Sequence, residues 1–171
     1  MRAWLEQGVD REESDGLWNS DRWQFGDWLD PTAPPDQPGY SRTDSVMVAD
    51  AYLVHVTTVF AKVCRLLNKL DLADKYDAEV LRLRSVFQDR YITPGGNFMA
   101  NTQTGIALAV CFSLYRDGEQ ESQDITSAAK ALSRLVRAVQ FKIGTGFAGT
   151  PLITHALTQT AQSELAYRML C

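Results

Sequence analysis

Apolar residues recur at the helical period directly after the first forty residues of the chain. Steps of three and four residues separate them between residues 46 and 70, which predicts one long helix. The expected buried face consists of Val46, Ala49, Leu53, Val56, Phe60, Val63, Leu67 and Leu70. A parallel apolar stripe widens this face, so we expect the helix to contact neighbours on more than one side.

The same pattern predicts four further helices. Asp71 can cap the second helix, and Thr102 can cap the third. Residues 106–115 are apolar around the whole helical circumference, which indicates burial on all sides. A fourth, amphipathic helix is expected near residues 124–140, and a fifth should run from Thr150 to the last residues.

The first forty residues have a different character. They contain all four tryptophans and most of the prolines, and they show neither helical nor strand periodicity. We therefore expect residues 1–40 to form a long loop that carries a binding or functional face. A shorter solvated loop is expected at Glu119 and Glu121, beside Gly118.

These elements predict an all-α fold with about five helices after a long aromatic N-terminal loop. Amphipathic and fully apolar helices alternate, which fits helical hairpins in two layers and also fits a plain helical bundle. A length of 171 residues is near the usual size of one domain. We therefore interpret residues 1–171 as belonging to one domain, with 1–40 irregular and 41–171 in helical hairpins.

Charge and composition narrow the possible partners. The net charge of −4 provides no basic surface for a phosphate backbone, so no nucleic acid partner is expected. The nearly uncharged stretch over residues 101–115 is too short for a bilayer, which needs about 20 apolar residues, so no membrane partner is expected. The sequence leaves protein partners and cellular location open.

Metal, nucleotide and cofactor chemistry find little support in the residue pattern. The three cysteines lie far apart without metal-ligand spacing, and His55 and His155 have no acidic neighbour at ligand spacing. The glycine-rich residues 143–149 lack the Lys-Ser/Thr ending of a phosphate-binding loop. We expect a close-packed loop there instead, and neither a metal nor an organic cofactor is implied.

Three segments together resemble the catalytic domain of α-L-rhamnosidases of glycoside hydrolase family 78. They are residues 24–31 (QFGDWLDP), residues 101–110 (NTQTGIALAV), and residues 145–152 (TGFAGTPL) followed by 166–170 (AYRML). The resemblance covers nearly the whole chain from about Asp21 onward. It implies a six-hairpin (α/α)6 toroid, of which this chain would supply about five helices.

The implied activity is hydrolysis of a terminal α-L-rhamnose with inversion, by an acid that protonates the leaving oxygen and a base that activates water. In this family the acid lies well before the Gly-Asp-Trp segment, and the base lies soon after the Ala-Tyr-Arg-Met-Leu segment. The resemblance therefore places both carboxylates outside this chain. We expect a fragment that has no catalytic residue of its own and is inactive alone, with a rhamnose-containing glycoside as the substrate of the whole enzyme.

Trp28 and Asp27 are the predicted substrate-binding residues. The resemblance implies that the Trp28 ring packs against rhamnose, and a flat apolar ring suits the C–H face and methyl group of that sugar. Asp27 could accept hydrogen bonds from sugar hydroxyls, although an aspartate after glycine is also a common turn residue. Asp30 is interpreted as a turn residue, and Trp23 and Phe25 as packing residues.

Two alternatives remain at this point. A non-catalytic helical module could use the aromatic N-terminal loop to bind a carbohydrate or a protein. Another six-hairpin activity, such as that of a glucosidase-like or glycan-lyase relative, would also fit the helical pattern.

Overall fold

The computed structural model describes the backbone of all 171 residues and the side chains of residues 1–118 and 122–171. Within this described chain there are one π-helical turn, six α-helices and two isolated β-bridges. The π-helical turn is Trp4–Gly8, and the helices are α1 (Ser45–Leu66), α2 (Leu70–Tyr91), α3 (Gln103–Cys111), α4 (Glu119–Ala138), α5 (Ile153–Gln159) and α6 (Ser163–Leu170). The all-α prediction is therefore confirmed.

The helices form three consecutive hairpins, α1 with α2, α3 with α4, and α5 with α6. Helix α3 lies at the centre, because it contacts α1, α4 and α5. The first helices of the three hairpins therefore stand side by side, and their partners pack against them. This arrangement agrees with the two-layer alternative and not with a plain bundle.

Helix α3 is the most deeply buried element. Residues 103–110 are all buried, so burial on all sides is confirmed for 106–110, but the predicted run to 115 is interrupted, since Cys111 and Phe112 are half-buried and Ser113 is exposed. Thr102 caps the helix, since its side chain accepts a hydrogen bond from the Gly105 amide. Gly105 is required here because a Cβ would lie 2.8 Å from the Ala100 side chain. The cap therefore fixes the point at which the buried helix begins.

The buried face of α1 differs from the predicted one. The positions that are buried form a neighbouring stripe, namely Met47, Val48, Asp50, Ala51, Leu53, Val54, Thr57, Ala61 and Cys64. Small residues such as Ala51 and Ala61 let adjacent helices approach closely, while the larger Val56 and Phe60 pack at the flanks, half-buried. The helix is long and apolar enough to cross a membrane by composition, but nearly half of its apolar window is buried in the core.

Several helix boundaries also depart from the sequence expectations. Helix α2 begins at Leu70, so Asp71 lies in its first turn and does not cap it. Helix α4 begins at Glu119, which makes the backbone helical where a loop was expected at Glu119 and Glu121; their side chains lie outside the described residues. The predicted fifth helix is divided in two, because Ala161 takes a φ of 58° and ends α5.

The N-terminal segment is attached to α1 and α2 by polar contacts. The Trp18 amide donates to the buried Asp50 carboxylate at 2.8 Å, and the Tyr91 hydroxyl donates to the same group at 2.7 Å. Leu5 and Leu17 are buried in the core beside these contacts. The expected long loop over residues 1–40 is therefore irregular apart from its π-helical turn, and a few buried residues and polar contacts anchor it to the helices.

Candidate functional site

A cleft of about 530 Å³ opens between two loops at the ends of the helices. One loop is the Gly-Asp-Trp segment of the N-terminal region, and the other is the glycine-rich segment before α5. The cleft is lined by Phe25, Gly26, Trp28, Tyr52, Phe147 and Ala148. Its lining is mainly apolar, and the described side chains that line it include no carboxylate.

The indole of Trp28 is half-buried and is held by ring contacts on one side. The Phe25 ring centroid lies 5.6 Å from it at an interplanar angle of 68°, and that of Trp23 lies 6.2 Å away at 83°. Gly39 packs closely beneath it, since a Cβ at that position would lie 2.9 Å from the indole Cζ3. These edge-to-face contacts fix the plane of the Trp28 ring.

Asp27 is buried, and its carboxylate connects the two loops by hydrogen bonds. Its Oδ2 accepts hydrogen bonds from the Thr104 hydroxyl and from the Gly146 amide, the latter at 2.8 Å. Its Oδ1 accepts from the amides of Ala148 at 3.0 Å and Gly149 at 3.1 Å. The side chain is fully enclosed, so both carboxylate oxygens face the chain and not the cleft.

The glycine-rich loop approaches the Gly-Asp-Trp loop so closely that side chains are excluded. A Cβ on Gly146 would lie 2.8 Å from the carbonyl carbon of Asp27 and nearer still to the carbonyl oxygens of Asp27 and Trp28. The Phe147 amide donates to the Trp28 carbonyl at 2.8 Å. Glycine is required at position 146 because only its backbone fits against the facing peptide.

The first turn of α3 supplies a third anchor. Thr104 reaches Asp27, and the Gln103 side chain accepts a hydrogen bond from the Gly144 amide at 2.9 Å. Arg42 bridges the same region, because it donates to the Gly144 carbonyl at 2.7 Å and to Asp30 at 3.3 Å. The cleft is therefore braced by the buried helix beneath it.

The two predicted substrate-binding residues occupy different positions relative to the cleft. Trp28 lines the cleft, while Asp27 lies directly behind it and has no carboxylate oxygen exposed to the cleft. That position differs from the expected hydrogen bonds to sugar hydroxyls, because four donors from the chain already surround the carboxylate. Asp30 accepts from the Thr32 amide and hydroxyl and is a turn residue, as expected.

Three further aromatic residues at or beside the cleft were not predicted to contribute to an exposed binding surface. Trp23 and Phe25 pack against one another with centroids 4.5 Å apart, yet they are 66% and 65% exposed. Phe147, which belongs to the segment 145–152 but was not predicted as a site residue, is 69% exposed at the opposite side of the cleft. A bulky apolar residue between Gly146 and two small residues was the available signal for Phe147.

Tyr52 forms the floor of the cleft and is neutral at ordinary pH. Burial, followed by the nearby charge of Asp27, raises its pKa above the usual value. Its hydroxyl donates to the Ala148 carbonyl at 3.5 Å, which ties α1 to the glycine-rich loop. The floor is thus an aromatic surface with its one polar atom directed at the backbone.

Neither histidine lines the cleft. His55 stacks on Phe112 at 3.9 Å, and burial, with a smaller effect from Lys62, lowers its pKa. His155 is exposed on α5. The described residues contain no cluster of three or more histidine, cysteine, aspartate or glutamate side chains that could hold a metal ion.

A second, more enclosed cavity of about 220 Å³ lies between α3 and α4. It is lined in part by Phe98, Tyr115 and Arg134, and the Tyr115 hydroxyl has no hydrogen-bond partner among the described residues. None of its lining residues belongs to the loops that carry Trp28 and Phe147. This cavity is therefore separate from the cleft.

Several known proteins are similar to this chain in sequence and fold. An α-L-rhamnosidase from Streptomyces avermitilis is 30% identical over 170 residues, which is 99% of this chain and 15% of that protein. An α-L-rhamnosidase from an Alteromonas species is 25% identical over 174 residues, 99% of this chain and 18% of that protein.

Two solved structures superpose on nearly all of the chain. The native α-L-rhamnosidase of Aspergillus terreus has a TM-score of 0.93 and 39% identity, and 99% of this chain matches 19% of that one. The Streptomyces avermitilis enzyme in complex with L-rhamnose has a TM-score of 0.79 and 28% identity, with 99% of this chain matching 15% of it.

The chain thus spans less than a fifth of the length of these relatives. The bacterial α-L-rhamnosidase 6 hairpin glycosidase domain matches residues 1–171, which is every position. This match agrees with the three helical hairpins of the chain. The chain therefore belongs to the α-L-rhamnosidase six-hairpin glycosidase domain family.

Proposed function

We propose that this chain forms one wall of the sugar-binding pocket of an inverting α-L-rhamnosidase, and that residues 1–171 belong to one (α/α)6 catalytic domain. The observation that carries the proposal is the Trp28 ring, which is fixed in an apolar cleft by two aromatic neighbours and a close backbone contact. A relative whose structure holds L-rhamnose supports the choice of sugar.

The chemistry of the cleft suits a deoxy sugar better than a fully hydroxylated one. The ring faces of Trp28 and Phe147 offer apolar area to the C–H face of the sugar and to its methyl group. Burial of a methyl group is worth about 0.8 kcal/mol, which a hydroxymethyl group at the same place would partly forfeit. Hydrogen bonds to the sugar hydroxyls would come from another wall of the pocket.

Catalysis with inversion needs two carboxyl groups about 6.5–9.5 Å apart on either side of the scissile bond. The described lining of this cleft includes aromatic, glycine and alanine residues only. In the proposed arrangement the acid and the base are therefore contributed by other parts of a longer enzyme. The role of this chain is to bind and orient the substrate, and the chain alone has no hydrolytic activity.

An activity assay tests this division of roles. Purified chain incubated with an aryl α-L-rhamnoside should release no phenol above the rate in buffer. Clear turnover, lost on removal of the chain by antibody or affinity resin, would show that the chain holds its own acid and base.

A binding assay tests the pocket. Titration with L-rhamnose should change the tryptophan fluorescence of the chain, and Trp28→Ala should abolish that change. Trp4→Ala is the matched control, because Trp4 is also partly exposed and does not line the cleft. An unaltered response in Trp28→Ala would remove this residue from the pocket.

The exposed aromatic rings are also compatible with the two alternatives, a non-catalytic binding module and another six-hairpin activity. Trp23, Phe25 and Phe147 form an apolar surface that a non-catalytic carbohydrate- or protein-binding module would also present. Parallel titrations with L-rhamnose and D-glucose test the choice of sugar, and binding of neither sugar favours a protein-binding module. Preference for rhamnose supports the proposal, whereas preference for glucose favours another six-hairpin activity.

A further inference from the structure

We infer that Asp27 is a positioning residue, which acts on the sugar through Trp28 and Phe147 by locking the two loops of the cleft together. The inference rests on the proposed function for its consequence in binding. Its structural part rests on the hydrogen bonds of the buried carboxylate alone.

The carboxylate is the junction of three elements. It accepts one hydrogen bond from Thr104 at the start of α3 and three from backbone amides of the glycine-rich loop. The amides of Gly146, Ala148 and Gly149 curve around it, while Phe147 between them directs its own amide to the Trp28 carbonyl. One acidic group therefore sets the distance between Trp28 and Phe147.

A carboxylate is required here because all four partners are donors. Each oxygen accepts two hydrogen bonds, so an amide in its place would direct N–H groups against at least one backbone N–H. Thr104 could reverse its hydroxyl to accept, but the backbone amides cannot. Asp27→Asn keeps the shape of the side chain and must lose at least one loop contact.

The loss should reach the cleft directly. Trp28 follows Asp27 in the chain, and its carbonyl is the acceptor for Phe147 on the other loop. Separation of the loops would therefore move both aromatic walls, although neither ring is altered.

Asp50→Asn is the matched control for a purely structural effect. Asp50 is equally buried and also accepts from a backbone amide, that of Trp18, and from the Tyr91 hydroxyl. Its contacts secure the N-terminal segment and do not line the cleft. Both variants should be less stable, but only Asp27→Asn should change the cleft.

Two measurements below the unfolding temperature test whether Asp27 positions the Trp28 ring. In affinity for L-rhamnose, Asp27→Asn should bind about 3- to 10-fold more weakly, and Asp50→Asn should bind as the parent does. In 19F NMR of 5-fluorotryptophan-labelled chain, assigned with single Trp→Phe variants, Asp27→Asn should shift the Trp28 resonance and Asp50→Asn the Trp18 resonance. If Asp27→Asn does not fold, Thr104→Val removes one of the four donors and should shift Trp28 in the same way, to a smaller extent.

The outcomes separate this inference from the proposed function. A parent chain that fails to bind L-rhamnose contradicts the proposed function, and the 19F shift of Trp28 still decides whether Asp27 positions the ring. A parent that binds, with unchanged affinity and an unmoved Trp28 resonance in Asp27→Asn, would overturn the inference alone.

Discussion

Replacement of Gly146 by alanine should separate the two loops of the cleft. The added Cβ would lie 2.8 Å from the Asp27 carbonyl carbon, whereas non-bonded carbon atoms favour about 3.5–4.0 Å. The loops must therefore move apart by about 1 Å. Two hydrogen bonds of 2.8 Å cross this junction, from Gly146 to the Asp27 carboxylate and from Phe147 to the Trp28 carbonyl, and both would be broken.

The cost follows from those two contacts. A hydrogen bond to a charged group contributes about 1.5–3 kcal/mol and a neutral one about 0.5–1.5 kcal/mol, so Gly146→Ala should lower the free energy of unfolding by about 2–4.5 kcal/mol. The measurement is urea denaturation followed by far-UV circular dichroism, with the midpoint and slope fitted for each variant.

Gly95→Ala is the matched control for this substitution. A Cβ at Gly95 would meet only the Asn97 side chain, at 3.9 Å, so the free energy of unfolding should rise slightly or stay within about 0.5 kcal/mol. If Gly146→Ala were no more destabilising than Gly95→Ala, the close packing of the two loops would be refuted.

Two further predictions concern titration and reactivity. The Lys75 ammonium, and then the Tyr76 hydroxyl, lower the pKa of Glu6 from 4.5 to about 2. This contribution to stability is fully present above pH 4.5 and is lost as the pH falls towards 2, so Glu6→Gln should flatten the pH dependence of the unfolding midpoint in that window. Burial raises the pKa of the Cys111 thiol to about 11, while Cys171 is exposed, so iodoacetamide at pH 8 should label Cys171 first. Rapid labelling of Cys111 in the folded chain would contradict its burial.

The structural features that could be predicted from the sequence are those set by residues close together along the chain. Helix α3 was foreseen because an apolar circumference requires burial, and its cap because Thr102 can reach the third amide along. The break between α5 and α6 could not be foreseen, since no glycine or proline marks Thr160, Ala161 and Gln162. The left-handed Ala161 closes the end of α5, where the Gln162 amide donates to the Leu157 carbonyl at 2.7 Å, although alanine has no preference for this conformation.

The cleft was foreseen only in part. The resemblance identified the Trp28 segment and the glycine-rich segment, but nothing local indicated that Asp27 would be enclosed by the amides of the second segment. A carboxylate beside a turn and a carboxylate at a loop junction look alike in sequence, because the donors that distinguish them lie far along the chain.

The distance along the chain between Asp27 and its amide donors affects the order in which the fold assembles. Asp27 and its three amide donors are separated by 119, 121 and 122 positions, and α1 to α4 lie between them. The entropy of closing so long a loop must be offset before the contact forms, so the helices have to assemble first. During synthesis the aromatic N-terminal loop emerges early, but it can form these contacts only after the glycine-rich loop has been synthesised. The junction between the two loops should consequently be among the last contacts that the folding chain acquires.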